Sequence, residues 1–432
     1  MRIVIVRPPS GRRVIATTGG LLFAGALFAV AFSAWSPLPL PWFGKLAILA
    51  SYFQGLWKGE VHPAGGGKLN PADLTYIEGA TRLDLPRTPW LSAASAILVD
   101  NETGTVLYAK NENARRAPAS TTKILTALLA IEQGQLDRMV TVSRRAANVI
   151  GSDIRLHAGQ EVKLHDLVAG LLIRSGNDAA VAIAEAVAGS VENFACLMNR
   201  RAAELGATNS HFVNPHGLDH PGHYSTAHDL AVIARTAMRY ELFSRLVATK
   251  EYAPPSIPGA LWYNTNRLLW SFDGMEGIKT GTTGKAGNCL VAAAKRDSRQ
   301  LISVVMDSGN RWGDTTRLLE YGFSEFTILR PASRGKPVAQ ATVVGARREP
   351  VTTVPVAPTR DLVLTVRTSQ AGRYQVRLEV KPLPAPVRRG APAGHLLLLR
   401  DGKEVVSVPL VTTTGVGPDS FWRRLWRWFS GR

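Results

Sequence analysis

Cysteine is scarce in this sequence, which has only Cys196 and Cys289 among 432 residues. Two cysteines cannot build a disulfide framework, and no cluster of cysteine and histidine has the spacing of a structural zinc site. The sequence also lacks a zinc-finger pattern, an aromatic RNA-binding motif and a pair of basic helices, so it does not indicate a nucleic acid partner. We therefore expect no redox chemistry, no resident metal and no cofactor.

The composition excludes a chain that is disordered or fibrous as a whole. Apolar residues make up 45% and charged residues 19%, while glycine (39) and proline (26) together account for 65 residues. These values are ordinary for globular proteins, and a chain of 432 residues predicts two or three domains. The formal net charge of +18 suits an anionic partner such as lipid headgroups or an acidic cell wall.

The amino-terminal segment over 1–35 predicts export. A basic stretch without acidic residues ends at Arg13 and is followed by the uncharged run Val14–Trp35. Because arginine and lysine stay on the cytoplasmic side, we expect the rest of the chain outside the cytoplasm. The run is long enough to span a bilayer, and Ala31-Phe32-Ser33 offers a cleavage site, so a cleaved signal peptide and a retained signal anchor both remain open.

The carboxy-terminal segment over 419–432 has the pattern of a basic amphipathic helix. At about 100° per residue, its aromatic and leucine side chains share one face and its arginines lie on the opposite face. Such a helix binds an anionic membrane surface, and the alternative is a terminal helix docked on its own protein. The apolar face comprises Phe421, Trp422, Leu425, Trp426, Trp428 and Phe429, and the basic face comprises Arg423, Arg424 and Arg427.

Three segments lie between these ends. Residues 36–87 contain several prolines and Gly65-Gly66-Gly67, which is typical of a linker. Residues 88–330 begin with a hairpin pattern, continue with amphipathic helices and return to strands, which predicts an α+β domain with a helical insertion in an antiparallel sheet. Over 336–415, alternating apolar residues, many prolines and the turn signal Asp401-Gly402 predict a small all-β domain.

Ser120 and Lys123 form the pattern S-x-x-K at the start of a predicted amphipathic helix. Positions i and i+3 share a helix face, so the amine of Lys123 can lie over the hydroxyl of Ser120. In a desolvated site with a second cation nearby, the pKa of Lys123 falls and its amine can activate the hydroxyl. The pattern alone is weak, because Ser333 and Lys336 repeat it without a helix. The alternative for Ser120 is a helix cap or a surface serine.

Ser175 and Asn177 form the pattern S-x-N in a break between two predicted helices. The hydroxyl can relay a proton, and the amide can hold a substrate carbonyl and the side chain of Lys123. The alternative is a helix cap at Asn177. Ser308-Gly309-Asn310 repeats the pattern at the end of a predicted strand, so the tripeptide is not specific by itself.

The third pattern, K-T-G, lies in a predicted strand at the edge of a cleft and begins at Lys279. Lys279 offers a cation for a substrate carboxylate, Thr280 offers a hydroxyl, and Gly281 lets another backbone approach closely. The N–H of Thr282 can then complete an oxyanion pair with that of Ser120. A surface turn is the alternative for a lone tripeptide.

The order and the context of the three patterns are more specific than any one of them. They are 55 and 104 residues apart, and together they resemble the active-site set of penicillin-recognising serine enzymes. The longer strings resemble low-molecular-mass penicillin-binding proteins, the D-alanyl-D-alanine carboxypeptidases, over roughly residues 88–330, and the β segment with its basic tail is similar to that family's carboxy-terminal domain and anchor. The strings are Arg116–Lys123, Leu172–Ala180, Asn214–Leu218 and Gly277–Gly287.

This resemblance implies a penicillin-binding, serine β-lactamase-like fold followed by a small all-β domain. It implies an enzyme that removes the terminal D-alanine from peptidoglycan stem pentapeptides at the extracytoplasmic face of the bacterial cytoplasmic membrane. β-Lactams would be covalent inhibitors of such an enzyme. No cofactor is implied.

The resemblance also assigns roles to the residues of the motifs. Ser120 would form the acyl-enzyme, Lys123 would be the general base, and the S-x-N pair would relay protons and position the reacting groups. The end of the substrate would be bound by a cationic cradle, in which Arg311 offers a bidentate guanidinium for the terminal carboxylate. The implied catalytic residues are Ser120, Lys123, Ser175 and Asn177, and the implied substrate-binding residues are Lys279, Thr280, Gly281, Thr282 and Arg311.

Two other functions compete with the carboxypeptidase. A class A β-lactamase shares the motifs, but no E-x-x-x-N loop is evident, and a β domain with a membrane tail is not expected there. A non-catalytic wall-binding protein keeps the fold but loses the nucleophile or the base, whereas Ser120, Lys123 and Lys279 are all present. Several histidines between His211 and His228 lack the H-E-x-x-H spacing of a metal site.

Overall fold

The computed structural model describes residues 3–5, 88–344 and 352–417. The predicted linker over 36–87 and the predicted helix over 419–432 lie outside these residues, as does the predicted export segment apart from 3–5. The described residues all belong to one unit of the chain. Among them, no single helix has both the length and the apolar composition of a membrane span. The consecutive helices Asn177–Ala188 and Val191–Glu204 have that length and composition only when they are taken together, and the chain bends by 83° between them.

The regular elements are numbered in chain order. The strands are β1 (Ile3–Ile5), β2 (Ser95–Asp100), β3 (Val106–Lys110), β4 (Met139–Thr141), β5 (Glu161–Lys163), β6 (Glu251–Tyr252), β7 (Trp262–Tyr263), β8 (Met275–Thr283), β9 (Gly287–Arg296), β10 (Arg299–Met306), β11 (Phe326–Ala332), β12 (Ala339–Val344), β13 (Thr353–Pro358), β14 (Leu362–Arg367), β15 (Tyr374–Val380), β16 (Leu383–Pro384), β17 (Pro392–Arg400) and β18 (Lys403–Thr412). The helices are α1 (Lys123–Gln133), α2 (Arg144–Ala147), α3 (Leu164–Ile173), α4 (Asn177–Ala188), α5 (Val191–Glu204), α6 (Ala227–Ala237), α7 (Glu241–Ala248), α8 (Leu268–Ser271) and α9 (Arg311–Glu325).

A five-stranded antiparallel sheet with the order β3-β2-β10-β9-β8 forms the first domain's centre. The strand β2 comes early in the chain but pairs with β10, which comes after the helices, with Leu98 opposite Ser303. The helices α1 to α8 therefore lie in an insertion between the hairpin β2–β3 and the strands β8–β10. This topology confirms the predicted antiparallel sheet that closes around helices.

Both faces of this sheet are covered, which explains the continuous apolar run in β2. Ile97 and Val99 pack into a core shared with the inserted helices, whereas Ala96 and Leu98 pack into a second core against α9. Successive side chains of a strand point to opposite faces, so two cores require apolar residues at every position. The sheet is thereby fixed between two layers of helices.

The helix α1 lies in the middle of the helical layer. Ile124, Leu125 and Leu128 are at most 1% exposed, and the helix ends at Gln133, followed by Gly134 with a φ of 71°. Side chains cap neighbouring helices, because Ser190 accepts from the amide of Asn193 before α5 and Thr226 accepts from Asp229 before α6. Since α1 is packed on all sides, its first turn has a fixed position beside β8.

The second domain is built on a seven-stranded sheet with the order β1-β15-β17-β18-β13-β12-β16. The predicted hairpin at Asp401-Gly402 is confirmed, and the φ values of 51° and 79° at these residues fit a type I′ turn. The strand β11 pairs with β14, so pairing with this domain begins at Phe326, before the predicted start at residue 336. The predicted all-β architecture is confirmed.

Candidate active site

The backbone before Ser120 makes a tight turn that presents the hydroxyl at the start of α1. Ala119 has φ = 48°, in the left-handed region that side chains other than glycine rarely adopt. Residues Ala119–Thr122 form a 3₁₀ turn, and the α-helix begins at Lys123, three residues later than the sequence predicts. A 3₁₀ turn eclipses positions i and i+3, so Lys123 lies directly over Ser120.

Two glycines allow neighbouring backbones to contact this turn. A Cβ on Gly217, whose φ is 87°, would lie 1.8 Å from the carbonyl oxygen of Ala119. A Cβ on Gly281 would lie 3.0 Å from the amide nitrogen of Ser120. The turn is therefore held between the loop that contains Gly217 and the strand β8, and the close approach predicted for Gly281 is present.

The amine of Lys123 is completely buried and lies among three oxygen atoms. Its Nζ is 2.9 Å from Oγ of Ser120, 2.7 Å from Oδ1 of Asn177 and 2.8 Å from the carbonyl oxygen of His216. Burial lowers the pKa of Lys123 well below its ordinary value, and the positive charge of Lys279 lowers it further. The structure thus joins the S-x-x-K pair to the S-x-N motif around one buried amine.

The S-x-N motif occupies the predicted break between α3 and α4. Ser175 is buried with φ = 70°, and Asn177 is the first residue of α4. The cap of α4 is Gly176, so the alternative of a cap at Asn177 is wrong. Instead, the amide of Asn177 accepts from Lys123 through Oδ1 and donates through Nδ2 to the carbonyl oxygen of Ile150, at 2.6 Å. This amide therefore has a fixed orientation.

The K-T-G motif lies on β8, beside the turn that carries Ser120. Lys279 is only 1% exposed, and burial together with the charge of Arg311 lowers its pKa to about 7. The hydroxyl of Thr280 lies 2.7 Å from that of Thr265, which fixes its rotamer. Gly281 continues the strand against Ser120. The motif supplies a buried amine and a hydroxyl at the edge of the sheet.

Arg311, the first residue of α9, connects that helix to the end of β8. Its guanidinium donates to the carbonyl oxygen of Gly281 at 3.0 Å and to Oγ1 of Thr282 at 2.7 Å. The same group lies over the ring of Trp312, at 4.7 Å from the ring centroid. The structure thus brings together the residues that the sequence analysis singled out, from four separate parts of the chain.

Two histidines near the site belong to the group that lacks the spacing of a metal site, and His216 also lies in the string Asn214–Leu218. His216 supplies its backbone carbonyl to Lys123, and Nε2 of His223 lies 2.9 Å from Oγ1 of Thr122. Burial lowers the pKa of His216 to about 3 and that of His223 to about 4, so both are neutral near pH 7. Among residues 88–344 and 352–417, no three His, Cys, Asp or Glu side chains are grouped to hold a metal ion.

The fold and the site define a class of enzyme that sequence comparison identifies directly. Residues 84–310 match the D-alanyl-D-alanine carboxypeptidases of peptidase family S11, and residues 326–417 match the carboxy-terminal domain of penicillin-binding protein 5. The chain therefore belongs to the D-alanyl-D-alanine carboxypeptidase family, and it is a low-molecular-mass penicillin-binding protein with serine-type carboxypeptidase activity. The predicted fold class and function are confirmed.

Individual relatives match most of their length. The chain is 36% identical over 354 residues to the D-alanyl-D-alanine carboxypeptidase DacF of Bacillus subtilis. The aligned region covers 78% of this chain and 90% of that relative. It is 33% identical over 366 residues to DacD of Escherichia coli, with 80% and 92% covered. The structure of penicillin-binding protein 5 from Haemophilus influenzae superposes with a TM-score of 0.65 at 32% identity, over 77% of this chain and 99% of that one.

The contact between Gly217 and the turn before Ser120 generates a prediction. In Gly217→Ala, the new methyl group would displace the carbonyl of Ala119 and tilt the turn, and a misplacement of about 1 Å costs on the order of 100-fold in rate. We expect covalent labelling by a fluorescent penicillin to slow by this factor. Gly189→Ala is the matched control, because Gly189 also has positive φ but no atom within 4 Å of its Cβ position. Equal labelling rates in the two variants would contradict the prediction.

Proposed function

We propose that this carboxypeptidase acylates Ser120 with the penultimate D-alanine of a peptidoglycan stem pentapeptide and uses the neutral amine of Lys123 as the general base. The observation that carries the proposal is the buried Nζ of Lys123, 2.9 Å from the Ser120 hydroxyl. A neutral amine donates two hydrogen bonds, which suit Asn177 and the carbonyl of His216, and its lone pair accepts the proton of Ser120. All three contacts then have their donors and acceptors matched.

In the acylation step, Oγ of Ser120 attacks the carbonyl carbon of the scissile amide while its proton passes to Lys123. The amides of Ser120 and Thr282 stabilise the oxyanion of the tetrahedral intermediate. Collapse of the intermediate breaks the C–N bond, and the proton returns from Lys123 to the departing nitrogen of the terminal D-alanine, with the hydroxyl of Ser175 as the relay. Water then hydrolyses the ester and regenerates Ser120.

The terminal carboxylate of the substrate binds at the cationic end of β8. Lys279 and Arg311 supply positive charge there, and the hydroxyl of Thr280 supplies a donor. A β-lactam carries a carboxylate at a similar distance from its strained amide, so it enters the same cradle. Opening the ring leaves the amine tethered to the acyl group, so no leaving group departs and the ester persists.

The action on stem peptides places the protein in the bacterial cell envelope, and we propose the extracytoplasmic face of the cytoplasmic membrane. The basic stretch before an uncharged run at the amino terminus supports this orientation. The arginine and tryptophan pattern over 419–432 supports binding to an anionic membrane surface.

Replacement of the nucleophile tests the chemistry. Ser120→Ala removes the only atom that this mechanism acylates, so we expect no covalent labelling by fluorescent penicillin. Release of D-alanine from a stem pentapeptide analogue should fall by more than about 10⁴-fold. Ser333→Ala, in the second S-x-x-K pattern of the chain, is the matched control and should react as the wild type does. Labelling that persists in Ser120→Ala would assign the nucleophile to another residue.

The pH dependence of kcat/KM tests the cationic cradle. Lys279 is charged below its pKa of about 7 and neutral above it, so attraction for the substrate carboxylate is lost as the pH rises through this value in the free enzyme. We expect kcat/KM for the pentapeptide analogue to decline above about pH 7. Lys279→Arg keeps the charge and should remove this decline. A wild-type kcat/KM that rises steadily to about pH 10 would contradict the assignment.

Vesicle binding tests the carboxy-terminal segment. In the full chain, replacing Arg423, Arg424 and Arg427 with Gln removes three charges worth about 1 kcal/mol each near an anionic surface. We expect binding to anionic phospholipid vesicles to fall by on the order of 100-fold, with little change for neutral vesicles. Arg388→Gln with Arg389→Gln, on the exposed surface of the β domain, is the control. Binding that is equally sensitive to both sets would contradict the proposal.

A further inference from the structure

An irregular segment contacts the S-x-N motif and has no role in the mechanism above. This segment, residues 148–157, lies between α2 and β5 and contains no helix or strand; we call it the strap. Its middle is exposed, with Ile150 at 74% exposure, whereas Ile154 and Leu156 are buried in the core of the helical layer. The strap is thus anchored at one end and open to solvent beside the catalytic residues.

The anchor of the strap is the carboxylate of Asp178, in the first turn of α4. Oδ1 and Oδ2 of Asp178 accept from the amide of Ile154 at 3.1 and 3.0 Å, and Oδ2 accepts from the amide of Leu156 at 3.1 Å. Arg155 has φ = 62°, which turns these two amides toward one point. Asp178 is only 2% exposed, and a buried anion is well placed at the amino end of a helix.

The same strap contacts the neighbouring residue, Asn177. The amide nitrogen of Asn177 donates to the carbonyl oxygen of Ser152 at 2.7 Å, and Nδ2 donates to that of Ile150 at 2.6 Å. The opposite atom of the same side-chain amide, Oδ1, accepts from Lys123 at 2.7 Å. The carbonyl of Ile150 therefore decides which way the amide faces, and the amide in turn places Nζ of Lys123.

We propose that Asp178 is a positioning residue for the reaction: its carboxylate fixes the strap, the strap orients the amide of Asn177, and that amide holds Lys123 against Ser120. A carboxylate accepts only, so it matches the N–H groups of Ile154 and Leu156 with no competing donor. The inference rests on the proposed function in one respect, the role of Lys123 as the base.

The chain offers a control for a purely structural role. Asp166 lies in the first turn of α3, is 1% exposed, and accepts from the amide and hydroxyl of Ser256 and from the hydroxyl of Tyr252. It resembles Asp178 in burial and helix position but bonds to neither the strap nor Asn177. Replacement of Asp166 therefore removes a buried carboxylate without a path to Lys123.

The experiment compares Asp178→Asn with Asp166→Asn in the full chain. The acylation rate constant and the preceding dissociation constant are measured with a fluorescent penicillin, and thermal unfolding is measured in parallel. We expect both variants to be less stable. Only Asp178→Asn should lower the acylation rate constant, by on the order of 10- to 100-fold, with a dissociation constant within about threefold of the wild type. An acylation rate constant within about twofold of the wild type, or an equal loss in Asp166→Asn, overturns the proposal.

A second variant decides the matter if Asp178→Asn does not fold. Gly151 is an exposed strap residue with φ = 100°, and a Cβ there would lie 2.6 Å from Nδ2 of Asn177. Gly151→Ala should lower the acylation rate constant in the same way, and a wild-type rate constant overturns the inference. Ser120→Ala separates the two proposals, because labelling that survives it defeats the proposed function, whereas wild-type rates in Asp178→Asn defeat only this inference.

Discussion

The chemistry depends on one constraint, the burial of a primary amine beside a hydroxyl. A charged ammonium group loses its hydration when it is enclosed, and Lys123 has no exposed surface at all. The nearby charge of Lys279 disfavours a positive charge on Lys123 and so lowers its pKa further, whereas the charge of Asp178 raises it. Ser120, Asn177 and the carbonyl of His216 place three oxygen atoms within 2.9 Å of the amine, so its hydrogen-bonding groups have partners inside the site.

The surrounding fold can be understood as the means of keeping that amine in place. The first turn of α1 is tight because Ala119 takes positive φ, and the loop and strand on either side approach it because Gly217 and Gly281 have no side chain. The antiparallel sheet brings β8 beside a helix that is more than 140 residues earlier in the chain. Long-range packing thus supplies an arrangement that no local segment can form alone.

The sequence predicts the elements better than the contacts between them. Apolar periodicity predicts a helix on each side of the S-x-N motif, and turn chemistry predicts the hairpin at Asp401-Gly402, because these are local properties. The 3₁₀ turn at Ala119 was missed, since its positive φ follows from tertiary contact rather than from propensity. The role of the His216 carbonyl was missed because every residue has a backbone carbonyl, so the residue type does not reveal it. Asp178 belongs to the string Leu172–Ala180, yet only the structure shows that its carboxylate accepts hydrogen bonds from the amides of Ile154 and Leu156.

The most direct measurement is the titration of the Lys123 amine itself in the free enzyme. NMR of the full chain with isotope-labelled lysine side chains, assigned by comparison with Lys123→Arg, follows the ionisation of that single group. The account predicts that Lys123 loses its proton well below the ordinary lysine value of 10.5, and that the group is largely neutral where the enzyme is active. A Lys123 amine that stays protonated up to that ordinary value would contradict the account.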